Sequence, residues 1–265
     1  MATGETGGAQ TQVKADSLVL RKCQGLGELR ACLELQKEVW NFSDIELVPL
    51  RIFVVAEKVG GQVMGAFEGN ELVGFAMAIP GYRAGRSYLY SHMLAVRKDY
   101  RNAGVGRRLK LLQREDGMSR GFELMEWTFD PLEIKNAYLN IEKLGAITRR
   151  YNENQYGITS SPLQGGLPTD RLVAEWWFRS KRVERMVRGE AKPEFATARS
   201  IPVPAQIYEW KASAATRERA HELQAQNRGL FLKAFNDGLS VLGYERDQEG
   251  NGRFLLGNWD ESWKY

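Results

Sequence analysis

The segment "HMLAVRKDYRNAGVGRRLKLLQRE", residues 92–115, passes from an apolar run through two closely spaced glycines into a basic stretch with regular leucines. The run "SYLYSHMLAV", ending at Val96, is rich in aromatic and branched residues and predicts a strand. From Gly104 onward, Val105, Leu109, Leu111, Leu112 and Met118 predict an amphipathic helix ending near Gly121. A helix N-terminus offers backbone N–H groups without intrahelical partners and the positive end of a dipole, so this turn suits a phosphate. Gly104 and Gly106 would let the main chain approach a ligand closely, although a plain strand-to-helix turn uses glycine too.

The neighbouring residues narrow the choice of phosphate ligand. A P-loop needs Gly-Lys-Ser/Thr, whereas Gly106 precedes Arg107-Arg108 and leaves no hydroxyl for magnesium. A dinucleotide fingerprint needs a third glycine where Leu109 stands. Both nucleotide motifs are therefore excluded.

Upstream, "SLVLRKC" predicts a strand, "GELRACLELQKEVW" a helix and "DIELVPLRIFVVAEKVGG" a short helix before Gly60-Gly61. Gly69-Asn70 lies between two apolar runs and signals a hairpin. Downstream, "ELMEWTF" predicts a strand. "DPLE" predicts a helix start with Asp130 as N-cap and Pro131 in the first turn. That helix should stop at Gly145, before the strands "AITRRYNENQYG" and "RLVAEWWF". Alternating strands and helices argue for an α+β fold, a mixed sheet layered with helices.

The remainder has its own pattern. "SIPVPAQIYEW" predicts extended chain because of its two prolines. A helix over about 214–237 should pack Leu223, Leu230, Phe231, Ala234 and Phe235 on one side, and two strands should flank Gly-Asn-Gly. The expected organisation is a disordered segment 1–16, a main domain 17–194 and an extension 195–265 made of extended chain, helix and hairpin.

Composition bounds the function classes. The 265 residues, 43% hydrophobic, suffice for a sizeable core, and two cysteines make neither a disulfide framework nor a metal cluster. No signal-like start or long uncharged apolar run occurs, which predicts a cytoplasmic protein without membrane contact. Net charge is +4, but 37 basic residues stand against 33 acidic ones, mostly interleaved, which disfavours a nucleic-acid partner. Arg101, Arg107, Arg108, Lys110 and Arg114 form a local basic group, read as phosphate ligands or a solvated helix face.

Taken together, Leu94-Ala95-Val96 followed by Arg101-Asn102-Ala103-Gly104-Val105-Gly106 resembles the acyl-CoA loop of the GNAT superfamily of N-acetyltransferases. "IEKLGA" at 141–146 is similar to that family's "YEKLGF" helix end, in the right order. The resemblance covers about residues 17–178 and implies a mostly antiparallel sheet flanked by helices. It also implies acetyl-CoA or another acyl-CoA as co-substrate and no metal. Main chain at Met93, Leu94, Ala95 and Val96 would run beside the pantetheine. Backbone from Arg101, Asn102, Ala103, Gly104, Val105, Gly106 and Arg107 would hold the pyrophosphate, with Asn136 as a further cofactor contact. Asn102 stands where the family often has glycine, and asparagine tolerates left-handed geometry.

The reaction implied is direct attack of an amine on the thioester. His92 is the first candidate base, on the face of Tyr90 and Leu94 by alternation, and Glu126 the second. Ile141 stands where the family's tyrosine acid would be, so Tyr138, one turn earlier, or the adjacent Asn140 is left to contact the sulfur. Asp170 and Arg171 are candidate ligands of a zwitterionic acceptor, whereas Trp176 and Trp177 read as packing residues. The expected activity is N-acylation of a small-molecule amine or amino acid, the rival a silent CoA-binding sensor. A homodimer is a possible assembly.

Overall fold

A computed structural model of the chain describes residues 17–161 and 164–259. The segment 1–16, expected to be disordered, lies outside the described residues. The chain forms two compact units, up to Met125 and from Glu126 onward. The boundary expected after residue 194 falls inside the second unit.

In the first unit the strands β1 (Val19–Lys22), β2 (Gln62–Glu68), β3 (Glu71–Arg83) and β4 (Arg86–Val96) lie side by side in chain order, each antiparallel to the next. Helix α1 (Gly25–Trp40) starts where Glu28 accepts from the Gln24 N–H at 2.7 Å and pairs with Arg21. It ends at Asn41, whose φ of 50° is left-handed. Helix α2 (Leu50–Lys58) begins behind Pro49, as the sequence suggested. These two helices bury Leu29, Cys32, Leu35, Phe53 and Ala56 against Phe75, Met77, Met93 and Ala95 on one sheet face. The other face carries Met64, Ala76 and Leu94 against Val105 and Leu109 of α3 (Val105–Ser119).

Strand β5 (Leu124–Phe129) contains the boundary. The second unit orders its strands β5, β7 (Arg171–Trp177), β6 (Ile147–Asn152), β9 (Leu239–Arg246), β10 (Gly252–Asn258), β8 (Arg199–Val203). Its pairs β6/β7, β6/β9, β9/β10 and β10/β8 are antiparallel. Helix α4 (Ile134–Tyr138) runs on into a wider turn at Leu139–Lys143 and stops at Gly145, with φ 79°. Helices α5 (Lys181–Val187), α6 (Ile207–Ala212) and α7 (Arg217–Asn236) complete it.

Three local expectations differ from what folds. Asp130 does not cap α4: its Oδ1 accepts from the Leu132 N–H at 2.8 Å, its Oδ2 pairs with buried Lys211 at 3.2 Å, and the helix starts only at Ile134. "IYEW" is helical, because the two prolines precede it and constrain only residues 201–204. On α7 the buried seam is Ala220, Gln224, Asn227, Phe231 and Ala234, leaving Leu230 exposed. Polar Gln224 and Asn227 are buried because their amides donate to the carbonyls of Pro168 and Pro202 at 2.9 and 3.0 Å.

Candidate active site

In the first unit, β4 and the turn after it place nearly every residue of the expected ligand loop. Met93, Leu94, Ala95 and Val96 pair with Met77, Ala76, Phe75 and Gly74 of β3. The chain then turns around Tyr100, whose buried ring is held by its hydroxyl donating to Glu68 at 2.7 Å. Arg97 pairs with Glu71 beside it. The Arg101 Nε donates to the Val96 carbonyl at 2.9 Å and closes the loop. Asn102 has φ 64° and Gly104 φ 76°, so two left-handed residues bracket the buried Ala103.

This geometry fits a bound phosphate. No side chain caps α3 at Gly104, and helix geometry leaves the N–H groups of its first turn without intrahelical acceptors. A Cβ at position 104 would meet nothing within 4 Å, so open space faces the main chain there. Two left-handed residues and a helix start make a concave set of N–H groups of the kind that binds anions.

His92 is the extra residue of a β-bulge. Met77 pairs with Met93 but the next residue, Ala78, pairs with Ser91, which leaves His92 without a β3 partner. The faces confirm the shift, because Ser91 bonds to Lys110 and Gln113 of α3 although Leu94 packs on that same side. Strict alternation would separate positions 91 and 94. The expected shared face of His92 and Leu94 is therefore lost, whereas the His92 ring stays 6.4 Å from that of Tyr90. The imidazole is exposed to solvent, yet surrounding protein holds its pKa below the ordinary histidine value by desolvation.

The basic group around α3 is not uniform. Arg108 donates to the Leu18 carbonyl at 3.1 Å, and Lys110 is buried with its Nζ 2.7 Å from Ser91 Oγ. Lys110 is thus neither a phosphate ligand nor part of a solvated face.

The second unit holds the other candidates. Buried Glu126 pairs with Arg150, which also reaches Glu175 at 3.3 Å. Asn136 is exposed on α4. Tyr138 is half-buried, with Lys143 Nζ and the Arg246 guanidinium 5.2 and 5.6 Å from its ring centre. Ile141 is fully buried. Asp170 is also fully buried and accepts from Tyr151 Oη at 2.6 Å, the Asn154 N–H at 3.0 Å and Arg228 Nε at 2.8 Å. Arg171 donates to Gln164 and to the Asp170 carbonyl. Trp176 and Trp177 are buried, their indoles bonded to Leu144 O and Glu175. Among the described residues, no group of three or more His, Cys, Asp or Glu is placed to hold a metal ion, and no helix is long and apolar enough to cross a membrane.

Residues 29–137, which run from α1 through the loop into α4, match the model of the acetyltransferase (GNAT) family. This segment is a GNAT acetyltransferase domain. Among solved structures, a Streptococcus mutans UA159 protein superposes with a TM-score of 0.50 at 16% identity, over 61% of this chain and 99% of its own. The ribosomal-protein-S18-alanine N-acetyltransferase of Escherichia coli follows with a TM-score of 0.49 at 14% identity, over 62% and 95% of the two chains. The aminoglycoside 6'-acetyltransferase type Ii gives 0.49 at 20% identity, over 62% and 99%. No curated protein matches the sequence. The antiparallel strands β1 to β4, with α1 and α2 on one face and α3 on the other, are the mostly antiparallel sheet with flanking helices expected from the sequence.

Ser91 and Tyr100 are GNAT-domain residues that sequence reading passed over, and Lys110 was grouped with the exposed cations although it is buried against Ser91. Tyr100 had a visible signal, being an aromatic residue inside an otherwise polar loop. Ser91 and Lys110 had none, because their pairing depends on the bulge.

Proposed function

We propose that the chain is an acyl-CoA-dependent N-acyltransferase in which an amine displaces the CoA thiolate from the acyl carbonyl by direct attack. The observation that carries this reading is the uncapped start of α3 at left-handed Gly104, directly after β4 in a GNAT acetyltransferase domain. Main chain from Arg101 to Arg107 is assigned to the pyrophosphate and that of Met93 to Val96 to the pantetheine. Acyl-CoA supplies the activated acyl group; the protein supplies position and a proton acceptor.

His92 is assigned that role. An amine arrives protonated and must lose a proton to attack, and a solvent-reachable imidazole with a lowered pKa is neutral at pH 7. Tyr138 is assigned the proton for the thiolate, a leaving group good enough to depart without one. The acceptor is a small-molecule amine. Acetyl-CoA titration of the wild type and of Gly104→Val tests the loop, and free-thiol release across an amine panel tests the chemistry.

A second reading, a silent acyl-CoA sensor, is favoured by one observation: Ile141 is buried where the resemblance places a tyrosine acid. Tight acetyl-CoA binding with no amine-dependent thiol release would select it.

A further inference from the structure

Strands β3 and β4 are joined by the two-residue turn Ala84-Gly85, left-handed at φ 48° and 79°, which sets Arg83 opposite Arg86. Further along, Met77 lies opposite Met93. Between these two pairs β3 takes six steps and β4 seven, so one residue of β4 has to be extra. The turn demands a bulge without saying where along the strand it sits.

Two contacts with α3 say where. Downstream, Leu94 packs with Val105 and Leu109 on the α3 face. An extra residue at Ala95 would turn Leu94 away from them to the opposite face. Upstream, Ser91 Oγ accepts from Lys110 Nζ at 2.7 Å and meets Gln113 Oε1 at 3.1 Å, also on the α3 face. An extra residue at Tyr90 would turn Ser91 to the layer of Phe53, Phe75, Met77 and Met93. Its hydroxyl would then lie among apolar side chains, and Lys110 would lose this acceptor. The two contacts thus confine the bulge to His92 and Met93, and the pairing makes His92 the extra residue.

We propose that Lys110 and Ser91 are positioning residues for acyl transfer: their hydrogen bond pins the β4 bulge, and with it the His92 imidazole, to the helix whose first turn is assigned to the pyrophosphate. The inference rests on the acyltransferase reading, with His92 as proton acceptor. Lys110 and Ser91 are buried and act only through His92, which is exposed. A group misplaced by about 1 Å can cost about a hundredfold in rate, so a bulge free to slide along β4 is felt in kcat rather than in acyl-CoA binding.

The test follows turnover of the full chain with the amine that gives the most thiol release. Lys110→Met, expected to be as stable as the wild type, should lower kcat about tenfold while acetyl-CoA KM changes less than about twofold. Ser91→Ala should lower kcat at least as far, and Ser91→Thr, which keeps the hydroxyl, should restore most of it. The double variant Ser91→Ala, Lys110→Met should be no slower than the worse single variant, because the two residues act as one contact. Hydrogen exchange reads the bulge without turnover: in Lys110→Met the His92 and Met93 amides should exchange about tenfold faster, with those of β2 unchanged. Wild-type kcat in Lys110→Met, unchanged exchange at His92, or Ser91→Thr as slow as Ser91→Ala overturns the inference and leaves the acyltransferase reading standing. A wild-type protein that binds no acetyl-CoA, or releases no thiol with any amine, overturns that reading and the inference with it.

Discussion

Lys110 Nζ donates to Ser91 Oγ at 2.7 Å, with both residues almost wholly out of solvent, and the hydroxyl in turn meets Gln113 Oε1 at 3.1 Å. The contact joins α3 to β4 one residue before the bulge at His92. Burial drives the Lys110 amine well below its ordinary pKa. The network continues through Gln62, which donates to the Gln113 carbonyl and to Asp116 at 2.8 Å each.

Removing the hydroxyl from this contact should be worse than removing the amine. Ser91→Ala deletes the acceptor of a buried amine and is expected to cost about 1–3 kcal/mol in denaturant unfolding. Lys110→Met replaces the amine by a thioether of similar length and is expected to be neutral or stabilising by about 1 kcal/mol at pH 7.

The sign of the pH dependence follows from linkage. Between its lowered folded value and the ordinary lysine pKa of 10.5, the unfolded chain binds a proton at Lys110 that the folded chain does not. Stability from this site therefore rises with pH until the unfolded lysine also deprotonates. Unfolding curves of the wild type and Lys110→Met should converge as pH climbs toward 10.5. A difference independent of pH would mean that Lys110 is charged in the fold.

Gly104 and Gly106 separate folding from ligand approach. Gly104 has φ 76°, so Gly104→Val forces a branched residue into left-handed geometry and should cost about 1–3 kcal/mol besides any loss of acyl-CoA binding. At Gly106, whose φ is not left-handed, a Cβ would meet only Leu94 Cδ2 at 3.6 Å, an ordinary contact. Gly106→Ala should leave the melting temperature nearly unchanged, yet weaken acetyl-CoA by about tenfold if main chain at 106 lies against the pyrophosphate. Equal calorimetric affinities would remove Gly106 from the cradle.

What could be read from the chain beforehand depended on range. Strand β4, the Gly104 helix start and the Gly69 turn follow from residues within a few positions of each other, and all three fold as their sequence suggests. The bulge at His92 depends on which β3 residue lies opposite, which a single strand does not encode. Once the register shifts there, the alternation that grouped His92 with Leu94 fails. Lys110 looked like one more cation on a basic helix, and only its tertiary partner on β4 distinguishes it. Gln224 and Asn227 misled in the same way, since a hydrophobic count has no means of finding amides buried by distant carbonyls.

His92 makes a kinetic prediction. As the proton acceptor it must be neutral, and its lowered pKa places the acid limb of kcat/KM below the ordinary histidine value of 6.5. His92→Gln should lower kcat/KM by about a hundredfold and abolish that limb, with acetyl-CoA affinity retained. An unchanged limb would transfer the role to another group or to water.

Asp170 tests whether a fully buried carboxylate is free to recognise an acceptor. Tyr151, the Asn154 N–H and Arg228 already occupy it, and the Tyr151 phenol is pushed up by burial and by this bond. Asp170→Asn leaves Arg228 beside an uncharged amide. The Arg228 side chain is 28% exposed, so water softens the loss, and about 2–3 kcal/mol of destabilisation is expected rather than the larger values of sealed pairs. That outcome, with acceptor KM changed less than about twofold in the surviving enzyme, makes Asp170 a brace for the loop before β7. A stable Asp170→Asn variant with a sharply raised acceptor KM would instead give Asp170 the substrate contact its position in the sequence suggested.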